Sequence, residues 1–217
     1  MKIIVLVVTH NWDLYNFFDN IKVNYLKSKN IDYRLLYNGT DKSLDDRDSN
    51  KVNYYTDEGY IPAMLQKFLS YMLEDNNYDY VIRVNSSTFL NIDKVLEELE
   101  LHKDKDDLYM GYFHSSWEFC SGALTVFSKS VIDKLLEGKD SLQYNIEDDV
   151  AIGNYLKSKG IEKTYLERYN ISDRKSTPDE EEIKEALTFP QIRIRNDFNR
   201  DIIDKGIWST IEKLLNL

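Results

Sequence analysis

Strand-like and helix-like segments alternate through the first 160 residues, and this alternation restricts the fold more than any other feature. Residues 2–8 form a β-branched apolar run, and residues 14–26 carry apolar side chains at helical spacing. Residues 32–38 are again strand-like, 61–72 have helical periodicity, and 79–84 form the next apolar strand. Strands that alternate with helices are typical of a largely parallel sheet covered on both faces. We therefore predict the α/β class, with a mixed, mostly parallel central sheet flanked by helices.

The second half of the chain continues this alternation and then becomes less regular. Apolar spacing, capping residues and glycines predict helices 91–102, 129–138 and 147–160 and strands 106–113 and 121–128. The periodicity weakens from about residue 161, although the tail "IIDKGIWSTIEKLLNL" predicts a helix that packs back onto the body. Nothing in the composition marks a linker, so we predict one domain over residues 1–217 with a less regular part from about 161.

Charge, cysteine content and the N-terminus bound the class of protein. The 217 residues carry a net charge of −10, which argues against general binding to nucleic acid or to an anionic membrane. The only cysteine, Cys120, has no partner within the chain, as expected in a reducing compartment. The apolar run 3–8 is too short for a membrane span and lacks the features of a signal peptide. We therefore expect a soluble, cytoplasmic protein, or one of the host cytoplasm if the source is a virus.

Three groups of residues are candidates for chemistry, and each has an ordinary structural explanation. Polar residues 85–88 end the strand 79–84, where open α/β sheets bind ligands, but Asn, Ser and Thr also serve in turns and caps. Asp148 and Asp149 could supply a general base, or simply favour a helix N-terminus. Arg193 and Arg195 alternate with isoleucines and would leave a strand on one face, either to clamp a diphosphate or to offset nearby acids.

The order of these groups along the chain resembles the order of the motifs in a known protein family. The segment "RVNSSTFLN" (83–91) matches, without gaps, the family pattern in which a strand ends in K-T-D-D-D-x-F-x-N. "FCSGALTVFSKSVIDKLL" (119–136) matches a Cys-Ser-Gly element before a strand, and "DDVAIG" (148–153) matches E-D-V-x-x-G. Over roughly residues 54–160 the chain thus resembles the β-1,3-galactosyltransferase and fringe-like glycosyltransferases of the GT-A fold.

The resemblance implies transfer of a sugar from a nucleotide-sugar donor, a UDP-sugar, to a glycan or a protein-linked acceptor. By position in the motif Asp149 would be the general base of an inverting reaction, and Asp148 would tune its pKa or orient the acceptor. Trp117 and Glu118 would lie in the acceptor region. The predicted donor-binding residues are Thr9, His10, Asn11, Tyr37, Arg83, Asn85, Ser86, Ser87, Arg193 and Arg195. From the predicted topology, Asp41 is an alternative to Tyr37 as a residue near the nucleotide.

The chain departs from the family pattern at the metal-binding acids. Asn85, Ser86 and Ser87 stand where the family has three aspartates that hold a divalent metal on the donor diphosphate. Neutral oxygens alone are poor ligands for such a cation. We therefore predict no protein-bound metal, with Mn²⁺ or Mg²⁺ at most weakly bound through the diphosphate. Arg193 and Arg195 would neutralise the diphosphate, with Arg83 and Lys205 as further candidates.

Three alternative functions share parts of this pattern. A catalytically degenerate protein of the same fold would bind sugar nucleotides or glycans without transferring them, and loss of the three acids would suit it. A nucleotidyltransferase should have a Gly-rich phosphate loop after the first strand, but "VVTHNWDLYN" has no glycine. A glycoside hydrolase also uses paired acids, although adjacency in sequence says little about their separation in space.

Overall fold

The computed structural model describes residues 1–37, 46, 50–53 and 60–217, without the side chains of 53, 60–64 and 66. Asp41 lies outside the described residues. The strands are β1 Ile3–Thr9, β2 Asp32–Tyr37, β3 Lys51–Asn53, β4 Tyr80–Asn85, β5 Thr88–Leu90, β6 Tyr109–Gly111, β7 Leu124–Ser128, β8 Lys163–Tyr165, β9 Tyr169–Ile171 and β10 Gln191–Ile194. The helices are α1 Asp13–Ser28, α2 Tyr60–Glu74, α3 Ile92–Leu101, α4 Lys129–Glu137, α5 Asp148–Ser158, α6 Glu180–Ala186 and α7 Ile203–Leu215.

A seven-stranded sheet forms the centre of the protein, in the order β3-β2-β1-β4-β7-β6-β8. Strand β7 is antiparallel to both β4 and β6, whereas the other pairs in this sheet are parallel. All seven residues of β1 are buried, as expected for a strand with helices on both faces. This arrangement confirms the predicted mixed, mostly parallel sheet flanked by helices.

The two faces of the sheet bury separate apolar clusters. Val5 and Val7 of β1 pack into the cluster that contains α1 and α7, whereas Ile4 and Leu6 pack into the cluster that contains α2, α4 and α5. This division follows from the two-residue period of a strand. The predicted return of the C-terminal tail is also confirmed, because the Trp208 ring of α7 stacks on Phe18 of α1 with centroids 5.1 Å apart.

A second, three-stranded sheet in the order β5-β10-β9 was not predicted. Its strands have only three or four residues each, which is too short for a clear periodic signal. Strand β5 begins directly after the turn that follows β4, and β10 runs antiparallel to it with Arg193 opposite Thr88. The second sheet therefore brings the arginine-bearing strand to the end of β4.

The predicted helix ends agree closely with the structure. Asn91 caps α3, where its side-chain oxygen accepts a hydrogen bond from the Lys94 N–H at 3.4 Å. After α5, Gly160 adopts a left-handed conformation with φ of 74°, which glycine tolerates best. Within the described part of the chain, none of the helices is both long and apolar enough to cross a bilayer.

Candidate functional site

The Asn85–Ser87 turn at the end of β4 rests on a buried polar network. Ser86 is 3% exposed, and its hydroxyl lies 3.2 Å from both the Val8 carbonyl and the Asp19 carboxylate. The Thr9 hydroxyl also donates to Asp19. Burial raises the pKa of Asp19, an effect opposed by the charge of Lys22. The hydroxyl groups of Thr9 and Ser86 are therefore bonded in the interior, beneath the turn.

A cavity of about 430 Å³ opens on the other side of the turn. It is lined by Val8, His10, Trp12, Tyr15, Asn85, Ser86, Ser87, Arg193, Arg195 and Arg200. The side-chain oxygen of Asn85 is buried and has no hydrogen-bond partner among the described residues. We call this space the cationic cavity, because three guanidinium groups and, among the residues that the structure describes, no carboxylate line it.

Arg193 is held by the second sheet and by the turn. Its guanidinium group donates to the Ser87 hydroxyl at 2.7 Å and to the Thr88 hydroxyl at 3.2 Å. Burial lowers the pKa of Arg193 to about 10, and the nearby charges of Arg195 and Arg168 add to this effect. Within the described residues, no carboxylate forms an ion pair with Arg193 or Arg195. The cavity therefore has unneutralised positive charge that suits an anionic ligand.

Aromatic rings form one wall of the cationic cavity. Trp12 stacks on His10 with centroids 5.1 Å apart and on Tyr15 with centroids 5.3 Å apart. Trp12 is 61% exposed. Arg200 donates to the Tyr15 hydroxyl at 3.3 Å and to the Asp204 carboxylate at 2.8 Å, so this third guanidinium group is already paired. An exposed ring next to positive charge can stack on a planar or sugar group of an anionic ligand.

A second cavity of about 270 Å³ adjoins the first and contains the acids of α5. We call it the acidic cavity, and it is lined by Arg83, Asn85, Ser121, Gly122, Ala123, Glu147, Asp148, Asp149, Arg193 and Arg195. Three of these residues, Asn85, Arg193 and Arg195, also line the cationic cavity. The sequence-predicted arginines and acids, although more than 40 residues apart in the chain, thus line two adjoining cavities.

The two acids have different partners. Asp148 forms an ion pair of 2.5 Å with Arg83, which is 3% exposed and also donates to the Gly122 carbonyl. Burial raises the pKa of Asp148, an effect that the Arg83 charge opposes. Asp149 instead accepts main-chain hydrogen bonds, from the Gly122 N–H at 2.8 Å and the Val150 N–H at 2.9 Å. These bonds fix its carboxylate at the wall of the acidic cavity.

Two glycines in the matched motifs allow this close packing. A Cβ atom on Gly122 would lie 2.4 Å from the Arg83 guanidinium group, and one on Gly153 would lie 2.3 Å from the Phe119 Cβ atom. Real Cβ atoms essentially never approach so closely. At Gly153 the neighbouring atoms belong to the backbone and Cβ of Phe119, so this position requires glycine, whereas at Gly122 the end of the Arg83 side chain would have to shift. The "CSG" and "DDVAIG" regions therefore contact each other: the Gly122 N–H bonds to Asp149, and Gly153 of α5 lies against Glu118 and Phe119.

Several predicted site residues lie away from the two cavities. Thr9 faces the interior, Asn11 accepts a hydrogen bond from Asn16 at 3.1 Å, and the Tyr37 side chain is buried, where burial raises its pKa to about 12. Glu118 pairs with Lys157 at 3.0 Å, beside a different cavity. Lys205 pairs with Asp201 at 3.2 Å. None of these five lines the cationic or the acidic cavity.

Trp117 belongs to an aromatic group next to the acidic cavity. It stacks on Phe119 with centroids 5.2 Å apart and contacts Tyr112 edge-on at 6.5 Å. The Arg168 guanidinium group lies 3.7 Å from the Tyr112 ring centroid and donates to the hydroxyl of Ser121, which lines the acidic cavity, at 3.1 Å. Trp117 lines neither cavity, but the contacts of Tyr112 and Arg168 connect it to Ser121 at the wall of the acidic cavity.

Sequence reasoning missed the residues Trp12, Tyr15, Arg200, Arg168, Asp19 and Lys22. One signal was available for the last two. Asp19 and Lys22 are three residues apart, next to the apolar positions Phe18 and Ile21 of the amphipathic pattern, and such charged residues must find partners when buried. The positions of Arg168 and Arg200 depend on the second sheet and its following loop, for which the sequence has no periodic signal.

The residues of the turn fit a hard divalent cation poorly. The Ser86 hydroxyl is bonded to Val8 and Asp19 in the interior, Ser87 accepts a hydrogen bond from Arg193, and Asn85 offers one amide oxygen. Mg²⁺ and Mn²⁺ prefer carboxylates, and two guanidinium groups at the same wall would repel either ion. Among the described residues, no three His, Cys, Asp or Glu side chains cluster as a ligand set.

Comparison with known proteins links this geometry to a fold. No protein-family model and no curated protein matches the sequence. A glycosyltransferase involved in the glycosylation of the major capsid of PBCV-1 superposes with a TM-score of 0.56 at 8% identity, covering 96% of this chain and 100% of that one. A197 from STIV superposes with a TM-score of 0.51 at 12% identity, covering 76% and 82%.

The galactosyltransferase LgtC, in complex with donor and acceptor sugar analogs, superposes with a TM-score of 0.50 at 12% identity, covering 99% of this chain and 96% of that one. Identities this low show a common fold alone. The mixed, mostly parallel sheet with its flanking helices is the GT-A architecture of these glycosyltransferases. The closer resemblance to β-1,3-galactosyltransferases and fringe-like enzymes stays a prediction.

Proposed function

We propose that this protein is a glycosyltransferase that transfers a sugar from a UDP-sugar to a hydroxyl group of a glycan or a protein-linked acceptor. The observation that carries the proposal is the junction of the cationic and acidic cavities at Asn85, Arg193 and Arg195. A donor with its diphosphate at this junction would have the nucleotide on the aromatic side and the sugar next to Asp149. The GT-A fold supports this orientation, because ligands of open α/β sheets bind at the carboxyl ends of the strands.

In this mechanism the diphosphate is the leaving group, and arginines neutralise it. As the bond between the anomeric carbon and the phosphate oxygen breaks, negative charge develops on the nucleoside diphosphate. Arg193 and Arg195 have no carboxylate partner among the described residues, so their charge is available for this purpose. The amide oxygen of Asn85, which has no partner in the described chain, would accept a hydrogen bond from a donor hydroxyl. No protein-bound metal is required.

Asp149 would act as the general base. The acceptor oxygen attacks the anomeric carbon, and the hydroxyl proton passes to the Asp149 carboxylate as the new bond forms. Hydrogen bonds from two main-chain N–H groups hold this carboxylate in place. Asp148 is engaged by Arg83, so its role would be to fix the start of α5 and the local charge. The acceptor would approach from the side of Ser121, where Arg168 and the aromatic group with Trp117 lie.

The test is to measure UDP-sugar binding and sugar transfer with and without excess chelator. We expect UDP affinity and turnover to be unchanged within twofold on addition of EDTA, because guanidinium groups rather than a metal bind the diphosphate. Complete loss of binding on chelation would contradict the metal-free mechanism. A weak Mn²⁺ or Mg²⁺ site on the diphosphate would instead give a partial loss that returns when the ion is added back.

A binding protein without transferase activity is the second candidate. Replacement of three family aspartates by Asn85, Ser86 and Ser87 favours it, because the change removes a known catalytic element of the family that the sequence resembles. Slow hydrolysis or transfer from a panel of UDP-sugars separates the two functions. Binding of UDP without turnover of any donor on the panel would favour the second candidate.

A further inference from the structure

A buried ammonium ion lies directly behind the Asn85–Ser87 turn. Lys22 is 0% exposed, and its Nζ atom donates to the carbonyl oxygens of Asn85 and Ser86, each at 3.1 Å. Asp19 lies 3.8 Å from Nζ, and the Trp208 ring centroid lies 5.5 Å away. Lys22 does not line the cationic cavity, so its charge acts on the cavity through the turn.

The hydrogen bond to the Ser86 carbonyl determines which main-chain group the turn presents, because the Ser86 N–H is already bonded to the Val8 carbonyl. In a trans peptide the C=O and N–H groups point in opposite directions. The Ser86 carbonyl points inward to Lys22, so the N–H of Ser87 points outward, to the side on which Ser87 lines the cationic cavity. On that side Arg193 donates to the Ser87 hydroxyl at 2.7 Å. The cavity thus faces an N–H donor. In the opposite orientation of this peptide, a carbonyl group would face the cavity and repel an anion.

We propose that Lys22 is a positioning residue that makes the Asn85–Ser87 turn an anion-binding element, with the Ser87 N–H beside Arg193 directed at the donor diphosphate. The proposal rests on the proposed function for the identity of the anion. Lys22 contributes in two ways: it orients the turn, and it adds a positive charge behind it. A fully buried lysine in this position is otherwise costly, because burial disfavours its charged form.

The same arrangement gives donor binding a dependence on alkaline pH. Burial lowers the pKa of Lys22 to about 8, Asp19 raises it, and the charge of Arg193 lowers it further. The groups that face Lys22 are thus Asp19 on its own helix, Arg193 on β10, the Trp208 ring on α7 and the two turn carbonyls. Lys22 is charged below this pKa and loses its proton above it, so diphosphate affinity should fall as pH rises through about 8.

The experiment measures UDP affinity by calorimetry between pH 7 and pH 9.5 in EDTA for wild type, Lys22→Met and Lys22→Arg. We expect Lys22→Met to weaken UDP binding roughly tenfold at pH 7 and to abolish the alkaline decline. Lys22→Arg should retain binding and also abolish the decline, because its guanidinium group stays charged. Asp19→Asn should move the decline to lower pH, because a group that raises the Lys22 pKa has been removed.

Lys67→Met is the matched control. Lys67 is also buried, burial lowers its pKa to about 8, and its Nζ atom donates to the Tyr37 carbonyl at 2.6 Å. We expect this variant to keep the alkaline decline of wild type. A decline that persists in Lys22→Arg would overturn the assignment to Lys22, and its absence from Lys67→Met would then assign it to Lys67. If Lys22→Met does not fold, the comparison of wild type, Lys22→Arg and Asp19→Asn still decides the question.

A second measurement separates this inference from the proposed function. The amide signal of Ser87 is followed by NMR while methylenediphosphonate is added in EDTA. A shift of the Ser87 signal without UDP binding would support the anion-binding turn and contradict the UDP-sugar function. UDP binding with an unmoved Ser87 signal would overturn the inference and leave the function intact. If neither ligand binds, both are wrong.

Discussion

Replacement of Arg193 by Met should stabilise the protein while weakening donor binding. The pKa of Arg193 is lowered from 12.5 to about 10, mainly by burial. At ~1.4 kcal/mol per pH unit, folding therefore disfavours the charged side chain by roughly 3 kcal/mol. The variant also loses the Arg193 hydrogen bonds to Ser87 and Thr88, and each lost bond reduces the gain in stability by about 1 kcal/mol. The net expectation is a gain of about 1 kcal/mol in the free energy of unfolding, or roughly 2–4 °C in Tm.

The sign of this effect also predicts its pH dependence. Because the folded state lowers the pKa of a cation, the penalty is fully present below about pH 10 and disappears as pH rises toward the ordinary value of 12.5. The gain from Arg193→Met should therefore be constant between pH 6 and pH 9. Throughout this pH range the Arg193→Met variant should bind UDP roughly 30-fold more weakly than the wild type, since a charge-assisted contact of about 2 kcal/mol is lost.

Thermal unfolding and calorimetric titration with UDP test both halves of this prediction. Arg174→Met is the matched control, because Arg174 is 41% exposed, pairs with Glu182 and lies outside both cavities. The control should lower Tm slightly or leave it unchanged, with unaltered UDP affinity. A lower Tm for Arg193→Met, combined with unchanged affinity, would refute the conclusion that Arg193 is held in a strained electrostatic state for an anion.

Two further predictions concern the acidic cavity. Asp149→Asn should lower transfer turnover at least 100-fold and change UDP affinity less than threefold, which steady-state kinetics and calorimetry can measure; turnover that survives within a few-fold would remove Asp149 as the base. Gly153→Ala should lower the free energy of unfolding by about 2 kcal/mol in urea, because the new Cβ atom would meet Phe119 at 2.3 Å. An unchanged urea midpoint for Gly153→Ala would show that α5 can move away from Phe119 at little cost.

The sequence predicted the central sheet because its signals are local and strong. Buried parallel strands such as β1 are continuous β-branched runs, and the intervening helices have clear apolar spacing. Arg193 and Arg195 were predicted to share a face because alternation in a strand requires it, and both line the same two cavities. The three-residue strands β5, β8 and β9 contain too few residues for any period to be visible.

The three residues of the turn have different surroundings, which the sequence does not reveal. Asn85, Ser86 and Ser87 were predicted as one donor-binding group, and all three line the cationic cavity. The Ser86 hydroxyl, however, bonds to Val8 and Asp19 inside the protein, because a turn has no simple alternation of side-chain direction. Spacing places Lys22 next to the apolar positions of α1, but it does not identify its partners, which are main-chain carbonyls 63 and 64 residues away in sequence.

The late position of β10 in the chain has a consequence for biosynthesis. The seven-stranded sheet is complete once β8, Lys163–Tyr165, has been made, but Arg193 and Arg195 follow only with β10 and the residue after it. Arg193 and Arg195 therefore join the two cavities only after every strand of the central sheet has been synthesised. A chain that terminates before residue 191 would contain Arg83, Asp148 and Asp149 but neither of these two arginines.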